Sequence, residues 1–215
     1  MTIRQEHVRG VSTRLKSAGL EVTPAQAKQL AQFLWLLDRW NRVHNLTGIR
    51  STTRMIDRHL VESLALRPLL VGRRIADVGT GAGLPGLPLS IVEADRQFTL
   101  IESRAKRARF LHHVQSTLAL PNVFIEHCRV EDLPSDQPFD TVLARAVAAV
   151  PDLVALAGHL LGGDSNLLIL TGTRAAKSVG RLGGGFSARR IRVPREDLVS
   201  GSVVLVQRTD KEGTS

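Results

Sequence analysis

Three glycines at alternate positions form the most informative stretch of the sequence. Gly79, Gly81 and Gly83 follow Asp77 in the run D-V-G-T-G-A-G, which begins at the end of a short apolar segment. Glycines at this spacing let the backbone turn sharply and let a ligand approach the main chain closely. The run therefore predicts a ligand-binding loop between a strand and a helix.

Two kinds of ligand fit such a loop. Read from Gly81, it matches G-x-G-x-x-G, and Glu102 lies about 20 residues further on, where a dinucleotide-binding fold keeps its ribose-binding acid. Read from Asp77, it matches D-x-G-x-G-x-G, which is typical of an S-adenosylmethionine (SAM) site. The pyrophosphate of NAD would be repelled by a carboxylate at the loop, whereas the sulfonium and ammonium of SAM would be attracted. Asp77 therefore favours SAM, while Glu102 fits either ligand.

The segments around the loop alternate between apolar strand patterns and helical patterns, which predicts a parallel sheet with helices on both faces. The last two strands are joined by P-R-E-D-L-V-S-G, which is too short for a crossover helix, so we expect them to pair antiparallel. Seven strands are predicted, at 75–78, 98–102, 123–128, 141–144, 167–170, 186–193 and 202–207.

The first seventy residues have helical periodicity throughout. Thr23 and Pro24 have the residue types of an N-cap and a first helical position, and they precede a regular apolar pattern that ends near a polar break at 41–49. We expect three units: a helical extension over 1–70 packed on the core, the main domain over 71–208, and a disordered tail over 209–215.

The composition narrows the class of protein. The formal net charge of +9 and the pI near 11.0 favour a polyanionic partner such as nucleic acid, although net charge can also serve solubility alone. No apolar run is long enough to span a membrane, and the single cysteine, Cys128, has no metal-binding pattern around it. We expect a cytoplasmic protein that binds neither membrane nor metal.

The chain from Trp40 to about Val150 contains N-L-T-G-I, R-H-L-V-E-S, D-V-G-T-G-A-G-L-P-G-L-P-L-S-I, K-R-A-R-F-L and A-R-A-V-A. Together these stretches closely resemble the RsmG family, also called glucose-inhibited division protein B. The resemblance implies a Rossmann-like class I SAM-dependent methyltransferase fold, with a mainly parallel seven-stranded sheet, a C-terminal antiparallel hairpin and an N-terminal helical extension. It also implies that the enzyme methylates N7 of a guanosine in 16S ribosomal RNA, with that RNA or the small ribosomal subunit as its partner. We expect the protein to be a monomer.

The same resemblance assigns contacts with the cofactor SAM. They fall on Gly79, Leu84, Val130, Glu131 and Arg145, with Glu102 as the ribose ligand; Asp77, Gly81 and Gly83 complete the expected set. After the fifth strand the family tends to have Lys-Gly, and before the last strand an Arg, where this chain has Thr171-Gly172 and Gly201. The resemblance therefore assigns no RNA contacts beyond Arg145.

Several polar residues outside the loop have two possible interpretations. Asn45, Asp57 and His59 could line the pocket or could serve packing and capping. The basic run Arg104, Lys106, Arg107 and Arg109 could be a solvated helix face or part of an RNA-binding face. That face could also include arginines at 39, 42, 50, 54, 58, 189, 190, 192 and 195.

Three functions remain open on the sequence. The first is the N7-guanosine methyltransferase, whose acceptor nitrogen has a lone pair and no proton to lose, so that alignment of donor and acceptor suffices and no catalytic base is expected. The second is a methyltransferase of the same fold with another substrate. The third is an RNA-binding or ribosome-assembly protein without catalytic activity, against which the intact loop argues.

Overall fold

One sheet of eight strands forms the centre of the molecule. The computed structural model describes residues 4–134, 136–145, 149–171, 180–193 and 201–209. The strands are β1 (Arg74–Val78), β2 (Gln97–Ile101), β3 (Val123–Glu126), β4 (Phe139–Arg145), β5 (Leu161–Thr171), β6 (Gly180–Leu182), β7 (Phe186–Ile191) and β8 (Ser202–Arg208).

The sheet has the order β3-β2-β1-β4-β5-β8-β7-β6. Strands β1 to β5 pair in parallel with one another, whereas β8 pairs antiparallel with β5 and with β7. This arrangement confirms the seven predicted strands and the antiparallel end. Two details differ: β5 begins at Leu161 rather than at Leu167, and the short β6 pairs with β7 as an eighth strand.

The helices are α1 (Gln5–Ser17), α2 (Pro24–His44), α3 (Thr52–Met55), α4 (Glu62–Leu64), α5 (Gly86–Val92), α6 (Ala105–Leu118) and α7 (Val150–Ala157). A π-helical segment, Ile56–Val61, joins α3 to α4 without a break. Single 3-10 turns occur at Arg67–Leu69, Val130–Asp132 and Gly158–Leu160.

Helix α2 begins as the sequence predicts but ends later. The Thr23 hydroxyl accepts from the Gln26 N–H at 3.2 Å, and the Gln26 side chain accepts from the Thr23 N–H at 2.8 Å, which forms a capping box. The helix continues through Asn41, where we expected the polar break to begin. Asn41 is buried, and its side-chain Oδ1 accepts from the Thr47 N–H at 2.8 Å, so the contact with the segment that follows the helix overrides its low helix propensity.

Apolar side chains fill both faces of the sheet. On one face, Ile75, Leu143 and Leu168 pack under α1, α2, α5 and α6. On the other face, Ala76 and Val142 pack with α7. Because side chains alternate along a strand, the odd-numbered residues of β1, and those of β4 from Thr141 onward, face the N-terminal helices. This alternation decides which side chains meet above the glycine loop.

Helix α2 is held against the main sheet layer at two points. Its Gln26 amide donates to the Val92 carbonyl at the end of α5, and its Gln29 amide donates to the Leu118 carbonyl at the end of α6, both at 3.2 Å. The division at residue 70 stays a prediction. Of the predicted tail, the Thr209 N–H donates to the Gly185 carbonyl at 2.8 Å, and 210–215 lie outside the described residues.

Candidate functional site

The glycine loop joins the end of β1 to α5 in a backbone path that needs glycine. Gly79, Gly81 and Gly83 have φ values of 61°, 63° and 80°, in the left-handed region that other residues adopt at a cost. A Cβ on Gly83 would also lie 2.2 Å from Leu87 Cδ1. A Cβ on Gly81 would instead have Arg107 Nη1 as its nearest neighbour, at 3.6 Å, so the loop leaves room for a ligand there.

Asp77 lies beneath this loop and is completely buried. Its Oδ2 accepts from the Thr80 hydroxyl at 2.6 Å and from the Gly86 N–H at 2.8 Å. Its Oδ1 has no hydrogen-bond partner among the described residues. Burial raises the pKa of the carboxyl to about 6, against the opposing effects of Thr80, Gly86 and Arg145. Asp77 thus fixes the shape of the loop with one oxygen and leaves the other without a partner.

Glu102 follows β2 at the same edge of the sheet and is 3% exposed. Its Oε2 accepts from the Gly81 N–H at 3.0 Å, and its Oε1 accepts from the Arg104 N–H at 2.9 Å. The Arg107 guanidinium lies 3.6 Å from Oε2. A carboxylate has about four acceptor positions, so Glu102 can hold the loop and still accept from a ligand hydroxyl.

The remaining sites predicted on this side lie around the same edge. The Leu84 side chain is buried in the core, and its N–H donates to the Thr80 carbonyl at 3.0 Å. A ligand could therefore contact only the backbone around Leu84. Val130 begins the 3-10 turn after β3 and packs with Val78 and Ile101, and Glu131 beside it is exposed.

Arg145 is the last residue of β4, on the face that carries Asp77. Asp77 of β1 is paired with Leu143 of β4. Arg145 is two residues after Leu143, so its side chain lies on the same face of the sheet, one repeat further along the strand. Its Nη1 donates to the Arg58 carbonyl at 3.3 Å. Burial lowers the pKa of the guanidinium, while Asp77 and Glu62 oppose that shift. Asp77 and Arg145 therefore attract each other across the mouth of the site.

The π-helical segment places a histidine next to Arg145. His59 is 2% exposed, and its Nε2 lies 3.1 Å from the Thr47 hydroxyl. Its Nδ1 has no hydrogen-bond partner within the described part of the chain. Burial, followed by the charge of Arg145, lowers the pKa of His59 to about 4, so the ring is neutral at pH 7. π-Helical turns are frequent at functional sites, and this one turns His59 inward.

Two other residues of uncertain role have structural partners. Asn45 ends α2 with a left-handed backbone (φ 49°), and Asp57 accepts from the Arg14 guanidinium at 2.6 Å, which ties α1 to the π-helical segment. Both contacts favour capping and packing over pocket lining for these two residues.

Sequence reasoning missed two contributors to the site. Thr80 is buried and bonded to Asp77, a partnership that its position three residues after the acid could have suggested. Glu62 is buried and lies 2.9 Å from the Arg58 guanidinium, one helical turn earlier. Burial of Glu62 could not be read from the sequence, because glutamate is almost never fully buried unless it is paired.

The suggested RNA-binding arginines do not form one group of free cations. Arg42 pairs with Asp38 at 2.7 Å, Arg39 lies over the Trp35 ring at 4.7 Å, and Arg58 pairs with Glu62. Arg189 and Arg190 are exposed on β7, and Arg195 lies outside the described residues. Thr171 is paired with Ser202 across β5 and β8, and Gly172 also lies outside the described residues.

The donors and acceptors at this edge suit a cofactor that carries both charges and hydroxyl groups. The buried Asp77 carboxyl adds negative charge beneath the loop that favours a cation, Arg145 suits a carboxylate, and Glu102 suits a diol. Among the described residues, no group of three or more His, Cys, Asp or Glu could hold a metal ion. No helix in the described ranges is long and apolar enough to cross a membrane.

Comparison with known proteins agrees with this geometry. The profile of the GidB family, described as rRNA small subunit methyltransferase G, matches residues 26–188. Ribosomal RNA small subunit methyltransferase G of Salmonella arizonae is 41% identical over 188 residues, which cover 86% of this chain and 91% of that protein. Its namesake from Escherichia coli O1:K1 / APEC is 44% identical over 162 residues, which cover 75% and 78%.

A solved structure supports the fold alone. The O-methyltransferase TomG from Streptomyces achromogenes, determined in complex with SAM, superposes with a TM-score of 0.56 at 16% identity, and covers 97% of this chain and 100% of its own. The sheet order, the glycine loop and the extensive sequence identity all indicate the same family. The chain belongs to the GidB family of ribosomal RNA small subunit methyltransferases G.

Proposed function

We propose that this enzyme transfers a methyl group from SAM to N7 of a guanosine in 16S ribosomal RNA. The observation that carries the proposal is the Glu102 carboxylate bonded to the Gly81 N–H, which joins the acid after β2 to the glycine loop after β1 at one edge of the sheet. Membership of the GidB family supports the small-subunit RNA as substrate.

The proposed cofactor site comprises the residues around that bond. Glu102 accepts from the ribose hydroxyls, and the backbone of Gly79, Gly81, Gly83 and Leu84 lies against the cofactor. Val130 and Glu131 border the adenine. Asp77 shapes the loop, and Arg145 orients the end of the cofactor that carries its charges.

SAM, when bound, supplies an electrophilic methyl group on a sulfonium that is a good leaving group. The chain's own contribution is position, because guanine N7 already offers a lone pair and releases no proton. Arg145 fits this role as an orienting residue. If its guanidinium donated to N7 itself, it would occupy the lone pair that must attack. The neutral His59 ring beside it adds no charge that would repel the sulfonium.

The test uses small ribosomal subunits purified from cells that lack the enzyme. We expect incubation with the protein and SAM to produce one new 7-methylguanosine in 16S RNA, which nuclease digestion and mass spectrometry would locate. A new methyl group on a different atom would favour another substrate of the same fold. Tight SAM binding without methylation of any RNA would favour a protein that has kept the fold and lost the chemistry.

A further inference from the structure

Helix α6 carries a row of basic side chains on its exposed face. The α6 row consists of Arg104, just before the helix, followed by Lys106, Arg109 and His113, all exposed. Spacings of two, three and four residues keep them on neighbouring turns, and the row from Lys106 to His113 is about 10 Å long at the usual helical rise. The helix sequence contains no acidic residue.

Such a row works against the stability of its own helix. The N-terminal end of a helix carries a partial positive charge, which favours acidic side chains and disfavours basic ones. Like charges three or four positions apart also repel each other. Both effects act on Lys106 and Arg109, so local helix stability does not explain why these residues are basic.

Several basic residues elsewhere in the described part of the molecule have acidic partners close by. Arg14 pairs with Asp57, Arg42 with Asp38, and Arg107, on the inner side of α6, with Glu102. Within the part of the chain that the structure describes, neither Lys106 nor Arg109 takes part in an ion pair. Lys106 and Arg109 are therefore exposed cations without an ionic partner among the described residues, next to Arg107, which is paired.

The row begins beside the ribose end of the proposed cofactor site. It begins two residues after Glu102, whose carboxylate is bonded to the Arg104 N–H. At its other end, the His113 ring packs 5.6 Å from the Trp40 ring, and the His44 ring packs 5.2 Å from the same indole. A strand of substrate whose nucleotide entered the site could continue along α6 toward the end of α2.

We infer that the α6 row is a docking surface for the phosphate backbone of the RNA around the target guanosine. This inference rests on the proposed function, because it concerns how the same substrate is held outside the cofactor site. Unpaired exposed cations bind phosphates by releasing counterions, and they do so without reading the base sequence. The row therefore contributes affinity and orientation, whereas the choice of nucleotide is made elsewhere.

The test reverses the charge of the row and compares it with an equal reversal elsewhere. The first variant is Lys106→Glu with Arg109→Glu. The control is Lys16→Glu with Lys28→Glu, at exposed positions of α1 and α2. Lys28 lies near Gln26, which contacts the far end of α5, so the control changes net charge equally at a distance from the site.

Anisotropy of a fluorescein-labelled RNA hairpin measures binding directly. We expect the α6 variant to bind at least about 10-fold more weakly than the control near 0.1 M salt, with a shallower salt dependence. Its SAM affinity, measured by calorimetry, should equal that of the wild type. Its melting temperature should not fall, because acidic residues suit the start of a helix. Loss of binding would then not be a loss of fold.

Equal RNA affinity in the two variants would overturn the inference, and so would stronger binding of the wild type to phosphatidylserine vesicles than to RNA. Methylation assays separate this outcome from failure of the proposed function. If the wild type methylates small subunits and the α6 variant does so with unchanged KM, the docking surface is wrong and the activity stands. If the wild type methylates nothing but RNA binding still depends on the row, the surface stands and the activity is wrong.

Discussion

The two sides of the candidate site differ in how completely their polar groups are satisfied. On the side of β1 and β2, both oxygens of Glu102 accept backbone N–H groups, and Asp77 Oδ2 accepts two donors. On the side of β4 and the π-helical segment, Arg145 makes one long hydrogen bond, while Asp77 Oδ1 and His59 Nδ1 have no hydrogen-bond partner among the described residues.

Buried polar atoms without partners are rare because each costs about 1–3 kcal/mol. Two such atoms near one arginine therefore indicate a place where the fold gives up stability. Under the proposed function, the loop side has a backbone already shaped for SAM, whereas the polar groups on the Arg145 side gain partners only when a ligand binds. Substitutions on the two sides should therefore separate ligand affinity from stability.

The largest effect should come from Gly81→Asp on the loop side. The substitution forces a side chain into a left-handed backbone and places a second carboxylate beside Glu102. We expect SAM affinity to fall by at least about 100-fold, together with about 1–2 kcal/mol of the free energy of unfolding. Calorimetry and urea denaturation measure the two quantities. Gly48→Asp is the control, since a Cβ there meets nothing within 4 Å, and unchanged SAM affinity in Gly81→Asp would refute the loop assignment.

On the Arg145 side, the contribution of His59 should be visible in how the free energy of unfolding depends on pH. Its pKa of about 4 lies below the usual 6.5, so between these values the unfolded state binds more protons and stability rises with pH. Asp77, with its pKa raised to about 6, acts oppositely: in the range from 3.8 to 6 the native state binds more protons, and stability falls as pH rises. In wild type the two slopes partly cancel.

His59→Gln removes only the contribution of His59, which makes the free energy of unfolding rise with pH. The free energy of unfolding of the wild type, minus that of His59→Gln, should therefore increase by about 2–3 kcal/mol from pH 4 to pH 6.5. Urea denaturation across this range measures it. His112→Gln, on the exposed face of α6, is the matched control, and a difference that stays flat with pH for His59→Gln would mean that His59 is not held neutral by the fold.

Arg145→Met should lower affinity without lowering stability. The methionine keeps an unbranched stem and removes a guanidinium that is buried at a cost and that makes a single long hydrogen bond to the described residues. We expect SAM affinity or methyl transfer to fall by about 10-fold, while the free energy of unfolding changes by less than about 1 kcal/mol. Arg9→Met on α1 controls for loss of charge. If Arg145→Met lowered the free energy of unfolding by several kcal/mol, the Arg145 side would contribute to stability as the loop side does, and the two sides would not differ in this respect.

The smallest effect should come from Thr80→Val. The substitution keeps the shape of the side chain and removes one of the two donors to Asp77 Oδ2. We expect a loss of about 1 kcal/mol in the free energy of unfolding near pH 5, where much of Asp77 is protonated. Thr13→Val at an exposed position of α1 is the control. Equal stability of the two variants would mean that Gly86 alone holds the carboxyl group.

The loop side was predictable from the sequence because it depends on short-range rules. Glycine spacing gave the turn, and the common edge of parallel strands brought Asp77 and Glu102 together. The other side depends on packing between distant segments. A π-helical turn and a buried Glu62 arise where the N-terminal helices meet β4, and no local pattern encodes that meeting. The three-residue β6 was missed because a strand so short has no periodicity to detect.

The alternation of side chains along β4 has a consequence for how such a chain can vary over time. Leu143 and Arg145 point to one face, and Val142 and Ala144 to the other. Inserting or deleting one residue within the strand, with its register otherwise kept, would turn Arg145 toward α7 and away from Asp77. Substitutions can accumulate here gradually, whereas a change of length would have to occur in pairs. The face of the sheet on which Arg145 lies therefore depends on the exact number of residues that precede it in β4.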